Sequence, residues 1–244
     1  MTTASTRPLA LVTGATRGIG LAVARDLART HRVLVGGRDE RAVLEIVRDL
    51  EETGAAPYGA APFVADLADA GSVAAAVDGA AAELAGGLDV VVHSAGLLGD
   101  HTRVDEATRE EFRRVFELNV VAVADLTRLL LPALRARRGI VVAVNSGSGH
   151  RSGERSATYS ASKFALRAVT DALREEERAS GVRVTSVHPG RVATDMQREL
   201  RALEGGAYEA ERYLSPDAVV AAVRLAVDAD PSASVDEIRV RPRG

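Results

Sequence analysis

The 244-residue chain has no cysteine and no tryptophan, and aromatic residues make up only 3% of it. Without cysteine, disulfides, thiolate nucleophiles and cysteine-ligated zinc are all excluded. No apolar run approaches the roughly 18 residues needed to cross a bilayer. The polar start MTTASTRP offers no secretory leader, so a cytoplasmic protein with no membrane partner is expected. Lys+Arg total 31 against 34 Asp+Glu, which leaves a net charge of −3 and no basic field to hold nucleic acid. No His/Asp/Glu spacing supports a metal site. Two further scarcities are informative. Lys163 is the one lysine among 31 basic residues, and Asn119 and Asn145 are the two asparagines. Where Arg serves as the general cation, a surviving Lys marks a position at which Arg does not substitute.

What is present is a regular alternation. Short, β-branched apolar runs at 9–13, 33–35, 63–64, 88–92, 140–144 and 182–187 read as strands buried on both faces. Helical periodicity fills the gaps at 19–29, 40–52, 72–84, 109–137, 157–180 and 216–227, and residues 237–240 close the series. Strands spaced by such helices make repeated βαβ units, an α/β fold in a single domain spanning 1–244.

The first strand runs into Thr13-Gly14-Ala15-Thr16-Arg17-Gly18-Ile19-Gly20 and then a helix. Glycines there allow a tight turn and close approach to a pyrophosphate, which the helix N-terminus attracts. The Gly-x-x-x-Gly-x-Gly spacing lacks the Gly-Lys-Ser/Thr of an ATP-binding P-loop. The second strand ends Gly36-Gly37-Arg38-Asp39. Gly37 occupies the place where an acid would bind the ribose 2′-hydroxyl of NAD. Arg38 and Arg17 instead suit a 2′-phosphate, so NADP(H) is expected in preference to NAD(H). The competing reading has Arg38 solvated, with Asp39 as a helix cap or as the ribose acid itself.

Tyr159 and Lys163 stand four residues apart in a helical pattern and so share a face. An ammonium beside a phenol favours phenolate, which suits a group trading protons with a carbonyl or alcohol. No Gly-x-Ser-x-Gly elbow is present for hydrolase chemistry.

With these motifs, nearly the whole chain resembles the short-chain dehydrogenase/reductase family. Thr13–Gly20 resembles its Thr-Gly-x-x-x-Gly-x-Gly loop, and Tyr159 with Lys163 its Tyr-x-x-x-Lys pair. Ser146, thirteen residues before Tyr159, sits where the family's substrate-orienting serine does, with Ser148 a less favoured rival. Asn119 matches the asparagine that supports a proton-relay water. Asp66-Leu67 matches the pair that meets adenine. Pro189, Gly190, Val192 and Thr194 match the segment that receives the nicotinamide amide. Ser94-Ala95-Gly96 stands in the cofactor-facing turn after the fourth strand, although His93-Ser94 replaces the usual Asn-Asn.

The resemblance implies a three-layer αβα, Rossmann-like, doubly wound parallel sheet of order 3-2-1-4-5-6-7. It also implies reversible hydride transfer between NADP(H) and a small carbonyl or secondary alcohol, with no metal. Tyr159 would be the acid/base, Lys163 would bind the nicotinamide ribose, and Ser146 would hold the substrate oxygen. The alternatives are a sugar-nucleotide epimerase, for which too little chain follows the last strand, and a non-catalytic dinucleotide sensor. His150 and Met196 are tentative substrate contacts, and residues 195–214 form a substrate loop or helical lid, with Leu97, Leu98, Met196, Leu200, Leu203, Tyr208 and Tyr213 expected to make an apolar wall. The long helices 109–137 and 157–180 carry more apolar residues than one core face needs, so a homodimer or homotetramer is expected.

Overall fold

The computed structural model describes residues 7–243. Residues 1–6, part of the start on which the expectation of no leader rests, lie outside them. Seven parallel strands form one sheet in the order β3-β2-β1-β4-β5-β6-β7. They are β1 (Leu9–Thr13), β2 (Arg32–Gly37), β3 (Ala60–Val64), β4 (Val90–His93), β5 (Ile140–Val144), β6 (Arg183–Pro189) and β7 (Glu237–Val240). The helices are α1 (Gly18–Leu27), α2 (Glu40–Glu52), α3 (Ala70–Gly79), α4 (Ala81–Leu84), α5 (Arg109–Phe116), α6 (Ala122–Arg137), α7 (Ala157–Glu177), α8 (Asp195–Leu203) and α9 (Pro216–Val227).

The period of two along each strand sends side chains to two cores. Ala10 and Val12 of β1 join Val33, Val35, Val142 and Val144 against α1, α2 and α9. Leu9 and Leu11 go to the opposite face with Leu34, Val91, Val141 and the α6 leucines Leu126, Leu130 and Leu134. Among the described residues no helix is long and apolar enough to cross a membrane.

Two elements differ from expectation. The region 109–137 is not one α-helix, because residues Glu117–Val121 form a π-helical turn between α5 and α6. No glycine or proline marks this turn in the sequence, so the break gives no local sign there. The region 72–84 begins earlier and divides into α3 and α4, with the Asp69 carboxylate capping Gly71 and Ser72.

The order reverses between β1 and β4, which pair on either side of the switch. A crevice must open there at the carboxyl ends of the strands, because the following connections leave toward opposite faces.

Candidate active site

A cleft of about 570 Å³ occupies that crevice. Its wall holds Gly14, Thr16, Arg17, Gly18, Ile19, Gly20, Arg38, Asp66, Leu67, Ser94, Ala95, Gly96, Tyr159, Lys163, Thr194 and Met196, all anticipated from sequence. Phe63, Ala65, Arg114, Leu118 and Asp195 also line it and carried no local signal.

The glycine loop is held by close approach. Gly14 has φ +63°, and a Cβ there would lie 2.8 Å from Ala95 Cα. A Cβ on Gly20 would come within 2.2 Å of the Gly14 carbonyl oxygen, so the turn closes only with glycine at both positions. The Thr13 hydroxyl accepts the N–H groups of Ser94 (3.1 Å) and Ala95 (3.2 Å). It thereby fastens the turn in which the usual Asn-Asn is missing. His93 turns away into the core, where Nε2 meets Thr127 Oγ1 at 2.9 Å, and burial holds its pKa down at about 4.

At the adenosine end, a Cβ on Gly37 would meet Val43 Cγ2 at 2.7 Å and Thr16 Cγ2 at 2.9 Å, so no acid fits there without a shift. The Asp39 carboxylate accepts from Ala42 N at 3.1 Å and caps α2, which commits it to the helix. Arg38 and Arg17 are exposed on the cleft, and among the described residues neither makes an ion pair.

The catalytic candidates converge at the other end. Tyr159 and Lys163 project from one face of α7, with Lys163 Nζ 5.7 Å from the phenol ring centre. Lys163 is buried, its Nζ donates to the Val144 carbonyl at 3.1 Å, and burial lowers its pKa to about 8. Burial also raises the Tyr159 phenol, and a hydrogen bond from the Ser146 hydroxyl partly offsets this. The expectation that Lys163 sets the phenol low is therefore not what dominates here; desolvation does. Ser146 Oγ accepts the Ser148 N–H at 3.1 Å. That contact assigns Ser148 a backbone role beside the favoured serine.

Asn119 lies in the π turn and is fully engaged by protein. Its Nδ2 donates to Leu97 O (2.9 Å) and Ser162 Oγ (3.0 Å), and its Oδ1 accepts from Leu97 N (2.8 Å). The side chain thus pins the Leu97 backbone at the edge of the cleft. Asn145, with no role in the sequence reading beyond its scarcity, donates to the Lys163 carbonyl (3.2 Å) and accepts from Ser146 N (2.9 Å). It joins the serine segment to the helix that carries Tyr159.

Residues 8–205 match the sequence profile described as short chain dehydrogenase. The chain belongs to that family. It is 39% identical over 211 residues to a Streptomyces virginiae protein provisionally named a monensin polyketide synthase ketoacyl reductase, covering 85% of this chain and 79% of that one. A single-substitution variant of the actinorhodin polyketide ketoreductase, solved with NADPH, superposes with TM-score 0.87 at 29% identity, covering 98% of both chains. An alcohol dehydrogenase from Thermococcus sibiricus, complexed with 5-hydroxy-NADP, gives TM-score 0.85 at 28% identity over 96% of each. The protein is thus a short-chain dehydrogenase/reductase enzyme, a catalyst of NAD(P)-dependent oxidoreduction.

In this short-chain dehydrogenase, several tentative assignments move. His150 is not on the cleft wall; its ring packs at 4.3 Å on His188, beside Glu237 of the edge strand. Residues 196–213, expected as a loop or helical lid, begin as a helix, because α8 starts at Asp195, and Glu204 pairs with Arg191 and Arg201. Met196 and Leu97 reach the cleft, whereas Leu203 lines a separate hollow with His101, Glu154, Arg155 and Glu204. Tyr208 and Tyr213 stack on each other at 5.4 Å. Pro189, Gly190 and Val192 are not on the cleft wall; of that segment, Thr194 is.

One buried carboxylate escaped sequence reasoning. Glu111 of α5 accepts from Asp100 N (2.9 Å), Thr102 Oγ1 (3.1 Å) and Thr158 Oγ1 (2.9 Å). It fixes the loop after β4 to the start of α7, and its neighbours in sequence give no sign of this.

Proposed function

We propose that the protein transfers hydride reversibly between NADP(H) and a small carbonyl or secondary alcohol. The observation that carries this reading is the half-buried Tyr159 phenol, with Ser146 beside it and Lys163 Nζ 5.7 Å from its ring, in a cleft that also holds the glycine loop. Hydride reaching a carbonyl carbon leaves negative charge on the oxygen. Tyr159 donates its proton there, and Ser146 holds the oxygen in line. The Lys163 ammonium favours the phenolate that results and has the reach to bind the nicotinamide ribose hydroxyls. The glycine loop and the α1 N-terminus hold the pyrophosphate, Asp66 and Leu67 the adenine, and Ser94–Gly96 with Thr194 the nicotinamide side. Pro189, Gly190 and Val192 shape the backbone that presents Thr194. The Asn119 segment supports proton supply. No metal enters this mechanism. The names of the ketoreductase relatives favour a β-keto compound as the first substrate to try.

Arg38 and Arg17 read the 2′-phosphate in this proposal. A charged hydrogen bond contributes roughly 1.5–3 kcal/mol, so the enzyme is expected to favour NADPH over NADH by about tenfold or more. Measuring kcat/KM for both cofactors with a panel of ketones and β-keto esters tests it. Arg38→Ala should erase most of the preference, and a wild type that prefers NADH overturns the assignment.

Assembly as a homodimer or homotetramer is part of the same reading. Val121 and Phe164 are 48% and 43% exposed beside α6 and on α7, apolar surface that a second subunit would cover. Light scattering at micromolar concentration should give at least twice the 25.6 kDa chain mass, and a monomer would remove the claim.

A further inference from the structure

Behind Ser146 lies a cluster of ionisable groups that the proposed reaction does not use. His188, on β6, is buried, and its Nδ1 is 2.9 Å from the Ser146 carbonyl oxygen. A carbonyl only accepts, so Nδ1 carries the proton. Its Nε2 faces Glu237 Oε2 at 3.7 Å. His150 reaches the same carboxylate from the other side, with Nε2 3.2 Å from Oε2. Guanidiniums of Arg167 (3.0 Å) and Arg239 (3.1 Å) both point at His150 Nδ1. They only donate, so the His150 proton sits on Nε2, toward Glu237. Arg239 Nε closes the group on Glu237 Oε1 at 2.6 Å.

Ligand atoms of the two histidines and Glu237 lie within 4.8 Å of one another, a span that fits a metal ion. The chemistry speaks against one. The two guanidiniums keep a proton on the His150 nitrogen that a metal would need, and they add positive charge beside the site.

The geometry instead points to positioning. The Ser146 carbonyl accepts from Gly149 N (3.0 Å) as well as from His188, while its N–H donates to Asn145. With Ser148 N on Oγ and the hydroxyl donating to the Tyr159 phenol, every polar atom of Ser146 is engaged. We propose that His188 is a positioning residue for Ser146, its ring backed by Glu237 and His150, so that the edge strand β7 helps to set where the serine hydroxyl points. This rests on reading Ser146 as the group that holds the substrate oxygen. No motif in the sequence links Glu237 to the serine, because β7 follows it by some ninety positions.

The test compares His188→Leu and His188→Asn in wild-type and Ser146→Ala backgrounds, using NADPH and ethyl acetoacetate. NADPH affinity by fluorescence and Tm are followed in parallel. His188→Leu should lower kcat about tenfold with NADPH affinity unchanged, since a misplaced orienting group costs rate rather than cofactor binding. The Asn side-chain N–H can donate where the ring nitrogen does, so His188→Asn should recover kcat to within about threefold of wild type. In the Ser146→Ala background, His188→Leu should cost nothing further. If His188→Leu does not fold, Glu237→Gln at the exposed edge should lower kcat about threefold, again only when Ser146 is present. Equal losses for Leu and Asn, no loss, or a loss that persists without the serine hydroxyl would overturn the positioning role. Full turnover by Ser146→Ala alone would instead remove the reading of Ser146, and this inference with it.

Discussion

Tyr159→Phe is expected to lower kcat by at least about 10²-fold while NADPH binds as before. The substitution removes one oxygen. It leaves the ring packed on α7 and leaves Lys163 Nζ on the Val144 carbonyl. What disappears is the proton donor and the acceptor for the Ser146 hydroxyl. Steady-state kinetics in both directions, with NADPH affinity measured by fluorescence, separate the two effects. A drop in cofactor affinity matching the drop in rate would show that the phenol serves binding instead.

Lys163→Met has a double expectation, with opposite signs for activity and stability. Turnover should fall by about 10²-fold or more, because the ammonium that favours the phenolate is gone. Stability at pH 7 should rise. The lysine titrates near 8 in the folded protein against 10.5 in an exposed chain. Between those values the unfolded chain binds more protons, so the wild type gains stability as pH rises from 8 toward 10.5. Below pH 8 it carries the full cost of a buried charge, on the order of 3 kcal/mol before the loss of the Val144 hydrogen bond is subtracted. The variant should therefore melt higher than wild type at pH 7, and the gap should narrow as pH climbs past 8. A variant that melts lower at pH 7 would mean the ammonium is better solvated by its surroundings than its burial implies. A site that holds an expensive charge for the sake of chemistry is a common stability–function trade-off.

The sheet was legible because its signal is local. The run Leu9–Thr13 followed by three glycines fixes the strand, the turn and the helix start, and the later strands repeat the apolar rhythm. The proximity of Tyr159 and Lys163 was legible for the same reason, since the two need only one helical turn to meet. Scarcity helped, too. Both asparagines prove to anchor backbone around the cleft, Asn119 at Leu97 and Asn145 at Ser146.

The misses are long-range or geometric. His150 follows the serine segment closely, yet its ring turns toward β7, where Glu237 and Arg239 come from the far end of the chain. Spacing rules for ligand sets are blind to such a cluster, because its members share no element. The π turn at Glu117–Val121 interrupts the helix with no glycine or proline in the sequence to mark it. Glu111 reads as one acid among many in a charged stretch, and only its three donors reveal that it holds the loop after β4. Asp39 is the instructive case at the cofactor end. Sequence left it as either a cap or a ribose acid, and its contact with Ala42 N makes it the cap.

The central claim is that hydride passes from NADPH to a carbonyl carbon with Tyr159 supplying the proton. The most direct measurement uses NADPH deuterated at the transferring carbon of the nicotinamide, incubated with a panel of ketones and β-keto esters. Mass spectrometry of the products is expected to find one deuterium on the carbinol carbon of a new secondary alcohol, formed at least about 10²-fold faster by the wild type than by Tyr159→Phe. NADPH binding with no deuterated alcohol from any carbonyl, or equal rates from the two proteins, would contradict it.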